Sequence, residues 1–141
     1  MKRVDSICLV DDDDIFQFVT KRVIEQTKLV QTIRLFSNGK EAIDFLEETH
    51  AANAPLPDVI LLDLNMPVMD GWEFLEAYVL LKPHLSRPIT IYIVSSSISP
   101  ADILRAQRIN EVTDYIIKPI TTEKLIDMLK SLYHDDDTCN S

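Results

Sequence analysis

The chain has 141 residues, 46% of them hydrophobic and 26% charged, which is the composition of one globular domain with a single core rather than of a disordered segment. Acidic residues outnumber basic ones 23 to 14, for a formal charge of −9, so phosphate backbones and anionic lipid are repelled and neither nucleic acid nor membrane is an expected partner. Only 2 glycines are present, and no G-x-G-x-x-G or G-x-x-x-x-G-K stretch occurs, which excludes glycine-rich nucleotide cradles. Residues 4–10 (VDSICLV) read as a strand that stops at four successive aspartates, Asp11, Asp12, Asp13 and Asp14. A helix is expected from Ile15, with Phe16, Val19 and Val23 facing inward and Thr20, Lys21 and Glu25 facing out. Residues 30–36 read as a second strand. Asn38 then caps a helix through about His50, with Ala42, Ile43 and Leu46 on its apolar face.

Residues 51–57 form a loop, and residues 58–63 (DVILLD) read as a strand covered on both faces, since polar alternation is missing. The stretch 65–71 (NMPVMDG) is loop, followed by a helix over about 72–84 and a strand over 88–94. Ser99-Pro100-Ala101-Asp102 opens another helix, with a cap, a proline at the first position and an acid in the first turn. Residues 114–117 form a short strand ending at Lys118-Pro119. Thr121 or Thr122 caps a last helix bearing Leu125, Leu129, Leu132 and Tyr133 on its apolar side. The domain is expected to span residues 1–134, with residues 135–141 an acidic disordered tail. Of the 2 cysteines, Cys8 reads as a buried thiol and Cys139 as incidental, which excludes a disulfide framework. No signal peptide or apolar run of transmembrane length is visible, and the cytoplasm fits this pattern.

Strands and helices alternate about five times, which predicts an α/β fold with a doubly wound parallel sheet and right-handed crossovers. Ligands of such sheets sit at the carboxyl ends of the strands. Those ends carry the four aspartates after the first strand, Asp63 after the third, Ser95, Ser96 and Ser97 after the fourth, and Lys118 after the fifth. Each has an ordinary reading alone, as a cap, a turn or a solvated charge. Their joint placement at one edge selects chemistry. Two carboxylates about 5 Å apart repel by roughly 3 kcal/mol at an effective dielectric near 20. Such a cluster holds protons or a cation, and an all-oxygen donor set favours Mg²⁺.

The chain resembles the receiver domains of two-component response regulators. The resemblance rests on Leu9-Val10-Asp11-Asp12, on Leu61-Leu62-Asp63-Leu64-Asn65-Met66-Pro67 followed by Met69-Asp70-Gly71, on the hydroxyl of Ser95, and on Lys118-Pro119. It implies a flavodoxin-like sheet of order 2-1-3-4-5, with Asp63 as phosphoacceptor. Asp12, Asp63 and the backbone carbonyl of Asn65 would hold Mg²⁺, with Asp11 acting through a metal-bound water. Ser95 and Lys118 would contact phosphoryl oxygens, Tyr115 would partner Ser95 in switching, and the Lys118-Pro119 peptide would be cis. The implied partners are a sensor histidine kinase or histidine phosphotransfer protein and a downstream protein target. The implied state is a monomer or a weak phosphorylation-dependent dimer. The expectation is a stand-alone domain with no output domain, catalysing only its own phosphorylation and dephosphorylation. Ser95 stands where threonine is commoner, and loses the methyl that stiffens the side chain. A phosphatase resembling the haloacid-dehalogenase group, with Asp11 and Asp13 as its D-x-D pair, leaves the Asp63 stretch unexplained. A calcium loop starting at Asp63 would need Gly and Glu where Val68 and Phe74 stand.

Overall fold

A computed structural model describes residues 4–140, with side chains described through Leu132. The elements are β1 (Val4–Val10), α1 (Asp14–Thr27), β2 (Val30–Phe36), α2 (Gly39–Ala51), β3 (Val59–Leu62), α3 (Gly71–Leu81), β4 (Thr90–Ser95), α4 (Pro100–Gln107), β5 (Val112–Ile117) and α5 (Thr122–Asn140). All strand pairs are parallel, in the order β2-β1-β3-β4-β5, as expected for the flavodoxin-like arrangement. The side chains of the tail expected over residues 135–141, and of Cys139, lie outside the described residues.

The three central strands carry apolar side chains on both faces, so each face builds its own core. Cys8, Val10, Ile60, Leu62, Ile91 and Ile93 pack against Leu46 of α2, Phe74 and Tyr78 of α3, and Ala106 of α4. Ile7, Leu9, Leu61 and Val94 point the other way, toward Ile24 of α1 and Leu125 and Leu129 of α5. Full burial of an aliphatic side chain of this size stabilises the fold by about 1.5–3 kcal/mol. Burial pushes the Cys8 thiol up to about 12, which makes it an inert core group.

Helix boundaries follow local chemistry. Asn38 caps α2 by accepting from the Glu41 amide at 2.9 Å, Ser99 caps α4, and Thr121 accepts from the Lys124 amide at the start of α5. Asp70 and Glu73 form a capping box on α3, with reciprocal bonds of 2.8 and 3.1 Å, that the sequence reading did not identify. The helix expected over 72–84 ends at Leu81 and tightens into a 3₁₀ turn at Lys82–His84. Pro83 has no amide proton to continue the α-helical ladder.

The face of α1 differs from expectation. Val19 is 53% exposed, whereas Gln17, Thr20 and Ile24 are buried. The Gln17 amide donates to the carbonyls of Leu9, Asp11 and Phe36 at the ends of β1 and β2, and this anchor sets the rotation of the helix. Phe16 and Val23 flank the buried stripe as expected.

At the amino edge of the sheet, Asp58 accepts hydrogen bonds from the amides of Asp5 and Ser6 and pairs with Arg87 at 3.0 Å. Arg87 also donates to the Leu56 carbonyl at 2.6 Å. This clasp ties β1 to the segments entering β3 and β4. No helix among the described residues is long and apolar enough to cross a membrane.

Candidate functional site

Val10 and Leu62 are partners in the parallel register, so the next residues, Asp11 and Asp63, leave neighbouring strands side by side. The amide of Asp63 still donates to the Val10 carbonyl at 2.9 Å, which holds the two together. Asp11 is 3% exposed and Asp63 6%, while Asp12 faces solvent. Carboxylate oxygens of Asp11, Asp12 and Asp63 lie within 4.8 Å of one another.

Lys118 reaches this cluster from the end of β5. Its Nζ stands 2.7 Å from Asp11 Oδ2 and 3.9 Å from Asp63 Oδ1. The Lys118-Pro119 peptide is cis. The Phe16 ring lies against the ammonium, its centroid 4.2 Å away, in a cation–π contact that also shields the charge from water. The sequence reading placed Phe16 only in the core. Its position in the first turn after the aspartates was the available signal.

The electrostatics follow from this crowding. Burial, reinforced by the Asp11 carboxylate, pushes the Asp63 carboxyl up to about 6, with Lys118 opposing. Burial also raises Asp11, against the adjacent Lys118 ammonium and the hydrogen bond from the Asp13 amide. Asp11 Oδ1 accepts from that amide at 2.9 Å, whereas buried Oδ2 is paired by charge with Lys118 but accepts no aligned hydrogen bond. One ammonium does not neutralise three carboxylates. Three clustered carboxylates, one of them with an under-satisfied buried oxygen, are a donor set that fits a hard divalent cation such as Mg²⁺.

Asp13 is not part of the cluster's donor set. Its side chain turns back to cap α1, accepting from the amides of Ile15 and Phe16 at 3.0 and 3.1 Å. That occupation speaks against a D-x-D phosphatase, which needs this carboxyl facing the reaction. Asp14 is an exposed acid in the first turn of α1.

At the end of β4, Ser95 is fully buried and its Oγ accepts from the Ser97 amide at 3.1 Å. The Lys118 amide donates to the Ser95 carbonyl at 2.9 Å, which ties the ends of β4 and β5. Tyr115 is half-buried on β5 and donates its hydroxyl to the Ser97 carbonyl at 2.9 Å. Ser97 thus lies between the two expected switch residues, a placement the sequence reading did not find. Asn65 follows two residues after Asp63 in the loop to α3. In that loop Val68 takes φ 67°, a conformation strained for a β-branched residue, in a tight turn closed by the Met69 amide on the Pro67 carbonyl at 2.7 Å. Gly71 is required by space, since a Cβ there would lie 2.4 Å from the Asp63 carbonyl oxygen. His50 and His84 lie in the last turn of α2 and in the 3₁₀ turn after α3, and these helices run antiparallel to the strands. Both histidines are therefore at the opposite edge of the sheet.

Comparison with known proteins agrees with this arrangement. The family model described as response regulator receiver domain matches residues 7–130. The probable methanogenesis regulatory protein FilR2 of Methanothrix harundinacea is 32% identical over 119 residues, covering 84% of this chain and 75% of the relative. A two-component response regulator from Cytophaga hutchinsonii superposes with a TM-score of 0.81 at 32% identity, covering 94% of this chain and 99% of that one. The Mn²⁺-bound form of response regulator Rcp1 superposes with a TM-score of 0.70 at 25% identity, covering 91% of each. Protein-glutamate methylesterases also match, but the chain spans only 31% of the one from Carboxydothermus hydrogenoformans. From the sheet order, the acidic edge and the match over most of its length, the chain belongs to the response regulator receiver domains of two-component signalling.

Proposed function

We propose that the domain takes a phosphoryl group onto Asp63 from a phosphohistidine carried by a sensor histidine kinase or phosphotransfer protein, and signals by protein–protein contact. The observation that carries this reading is the buried Asp63 carboxyl, set beside the Asp11 carboxylate and within 3.9 Å of the Lys118 ammonium. A carboxylate is a weak nucleophile, so geometry and charge neutralisation must supply most of the catalysis. At pH 7 Asp63 is mostly ionised, with its proton lost near 6. A carboxylate oxygen attacks phosphorus, an O–P bond forms, the P–N bond breaks, and the electron pair returns to the imidazole of the donor. Lys118 needs only a small swing from Asp11 toward Asp63 to meet the transferred oxygens. The Ser95 hydroxyl donates to the same group. Asp12, Asp63 and the Asn65 carbonyl would hold Mg²⁺, with Asp11 acting through water, and the ion would supply the remaining neutralisation of phosphoryl charge. Hydrolysis of the acyl phosphate returns the chain to its starting state. Ser95 and Tyr115, both hydrogen-bonded to Ser97, are the pair whose rearrangement reports the phosphoryl group to the α4–β5–α5 face.

The test is incubation with a small acyl-phosphate donor and Mg²⁺, followed by intact-mass and peptide mapping. A hydroxylamine-labile phosphoryl group on Asp63, lost in Asp63→Asn, is the expected result. Label on Asp11 instead would establish the phosphatase-like chemistry and refute this proposal.

A further inference from the structure

Ser97 makes more connections than any other residue of the β4–α4 loop. Its amide donates to the buried Ser95 Oγ at 3.1 Å. Its own hydroxyl donates to Asp102 Oδ2 at 2.7 Å, in the first turn of α4, and accepts from the Ser99 amide at 3.3 Å. Its carbonyl accepts from the Tyr115 hydroxyl. The residue is thereby held on three sides by groups outside the strand that carries Ser95.

We propose that Ser97 is a positioning residue, held by Asp102, which orients the Ser95 hydroxyl and so replaces the stiffness that a β-methyl group would provide. A serine hydroxyl has one proton and two lone pairs. With the Ser97 amide on a lone pair, the oxygen is fixed and its proton remains free to donate to a transferred phosphoryl oxygen. A threonine would lock the same torsion sterically. Ser95 has no such methyl, so its rotamer depends on the loop, and the loop depends on the short Ser97–Asp102 hydrogen bond. Loss of Asp102 or of the Ser97 hydroxyl removes the anchor and leaves Ser95 free to turn. This inference rests on Ser95 contacting the phosphoryl group.

Phosphorylation by a small acyl phosphate with Mg²⁺, followed by intact mass, provides the test on the full chain. Ser97→Ala and Asp102→Ala should each slow labelling by about two- to tenfold, the net worth of one hydrogen bond. Asp102→Asn, which retains an acceptor, should stay within about twofold of the parent. In a Ser95→Thr background the Ser97→Ala effect should disappear, because the methyl then holds the rotamer. An equal loss in both backgrounds overturns the proposal. The core around Ser95 is tight, so a second measurement covers failure of Ser95→Thr to fold. Three-bond couplings should report one Ser95 rotamer in the parent and an averaged set in Ser97→Ala, and a single rotamer in both overturns the proposal. Absence of label on Asp63 in the parent would instead refute the phosphoacceptor reading on which this inference stands, and with it the inference.

Discussion

Asp63→Asn offers a quantitative check on the electrostatics of the acidic edge. In the folded chain the Asp63 carboxyl sits at about 6 instead of 3.8, chiefly through burial and then through the Asp11 carboxylate. The displacement corresponds to about 3 kcal/mol of preference for the neutral form. The sign follows from linkage. Below about pH 3 the carboxyl is protonated in both folded and unfolded chains, and the residue costs nothing. Between about pH 4 and 6 the unfolded chain has lost the proton while the folded chain still holds it, so each rise in pH favours the unfolded chain. Stability is therefore lost across that window and stays low above about pH 7. An amide at position 63 carries no charge at any pH and escapes the loss. Asp63→Asn should be more stable than the parent by roughly 2–3 kcal/mol at pH 8 without divalent metal, with the difference shrinking below about 1 kcal/mol at pH 4. Urea unfolding followed by the single tryptophan, Trp72, and by far-UV circular dichroism measures it directly. Groups titrating elsewhere cancel in the difference. Added Mg²⁺ should stabilise the parent more than the variant and narrow the gap, since only a ligand of the folded state stabilises it. A parent that is the more stable protein at pH 8 without metal, or a gap of equal size at pH 4 and pH 8, refutes the reasoning.

Three further substitutions probe separate parts of the site. Lys118→Met leaves Asp11 buried without its countercharge and should cost about 2–4 kcal/mol at pH 8. That cost should shrink at pH 5 as the carboxyls take up protons, and equal urea midpoints at pH 8 would contradict it. Gly71→Ala drives a Cβ into the Asp63 backbone at 2.4 Å and should destabilise by about 1–3 kcal/mol while slowing labelling of Asp63. Thermal melts and intact mass read both effects, and an unchanged melting temperature would show that the α3 start is not constrained as described. Val68→Asn relieves a left-handed valine on an exposed turn and should stabilise by about 1 kcal/mol, a gain that chemical unfolding will confirm or exclude.

The parts of the molecule that were legible in sequence are those where one residue type answers one local need. Asn38 and Ser99 cap helices, the polar-free run ending at Leu62 is a strand buried on both faces, and Asp11, Asp12, Asp63 and Lys118 meet at one edge because parallel order puts them there. The rotation of α1 was not legible. Hydrophobic spacing favoured Val19 over Thr20, but three backbone carbonyls brought together by β1 and β2 claimed the Gln17 amide. Phe16 and Ser97 escaped for the same reason. Their roles exist only in contacts with Lys118, Ser95 and Asp102 that assemble after the chain has folded. Gly71 was read within its motif, while its reason, the approach of α3 to the Asp63 carbonyl, is purely spatial.

The Asp58–Arg87 clasp has a mechanical meaning. One carboxylate takes two amides of β1 and a guanidinium that also grips the strap before β3, so three chain segments are moored together at the sheet's far end. At the near end, the corresponding carboxylates push one another apart and are restrained mainly by a single ammonium. The sheet is thus anchored like a set of reeds, rigid at the base and responsive at the tips. A charge placed among the tips would act on loops whose strands are already moored, and the parallel register that aims the side chains lies outside its reach.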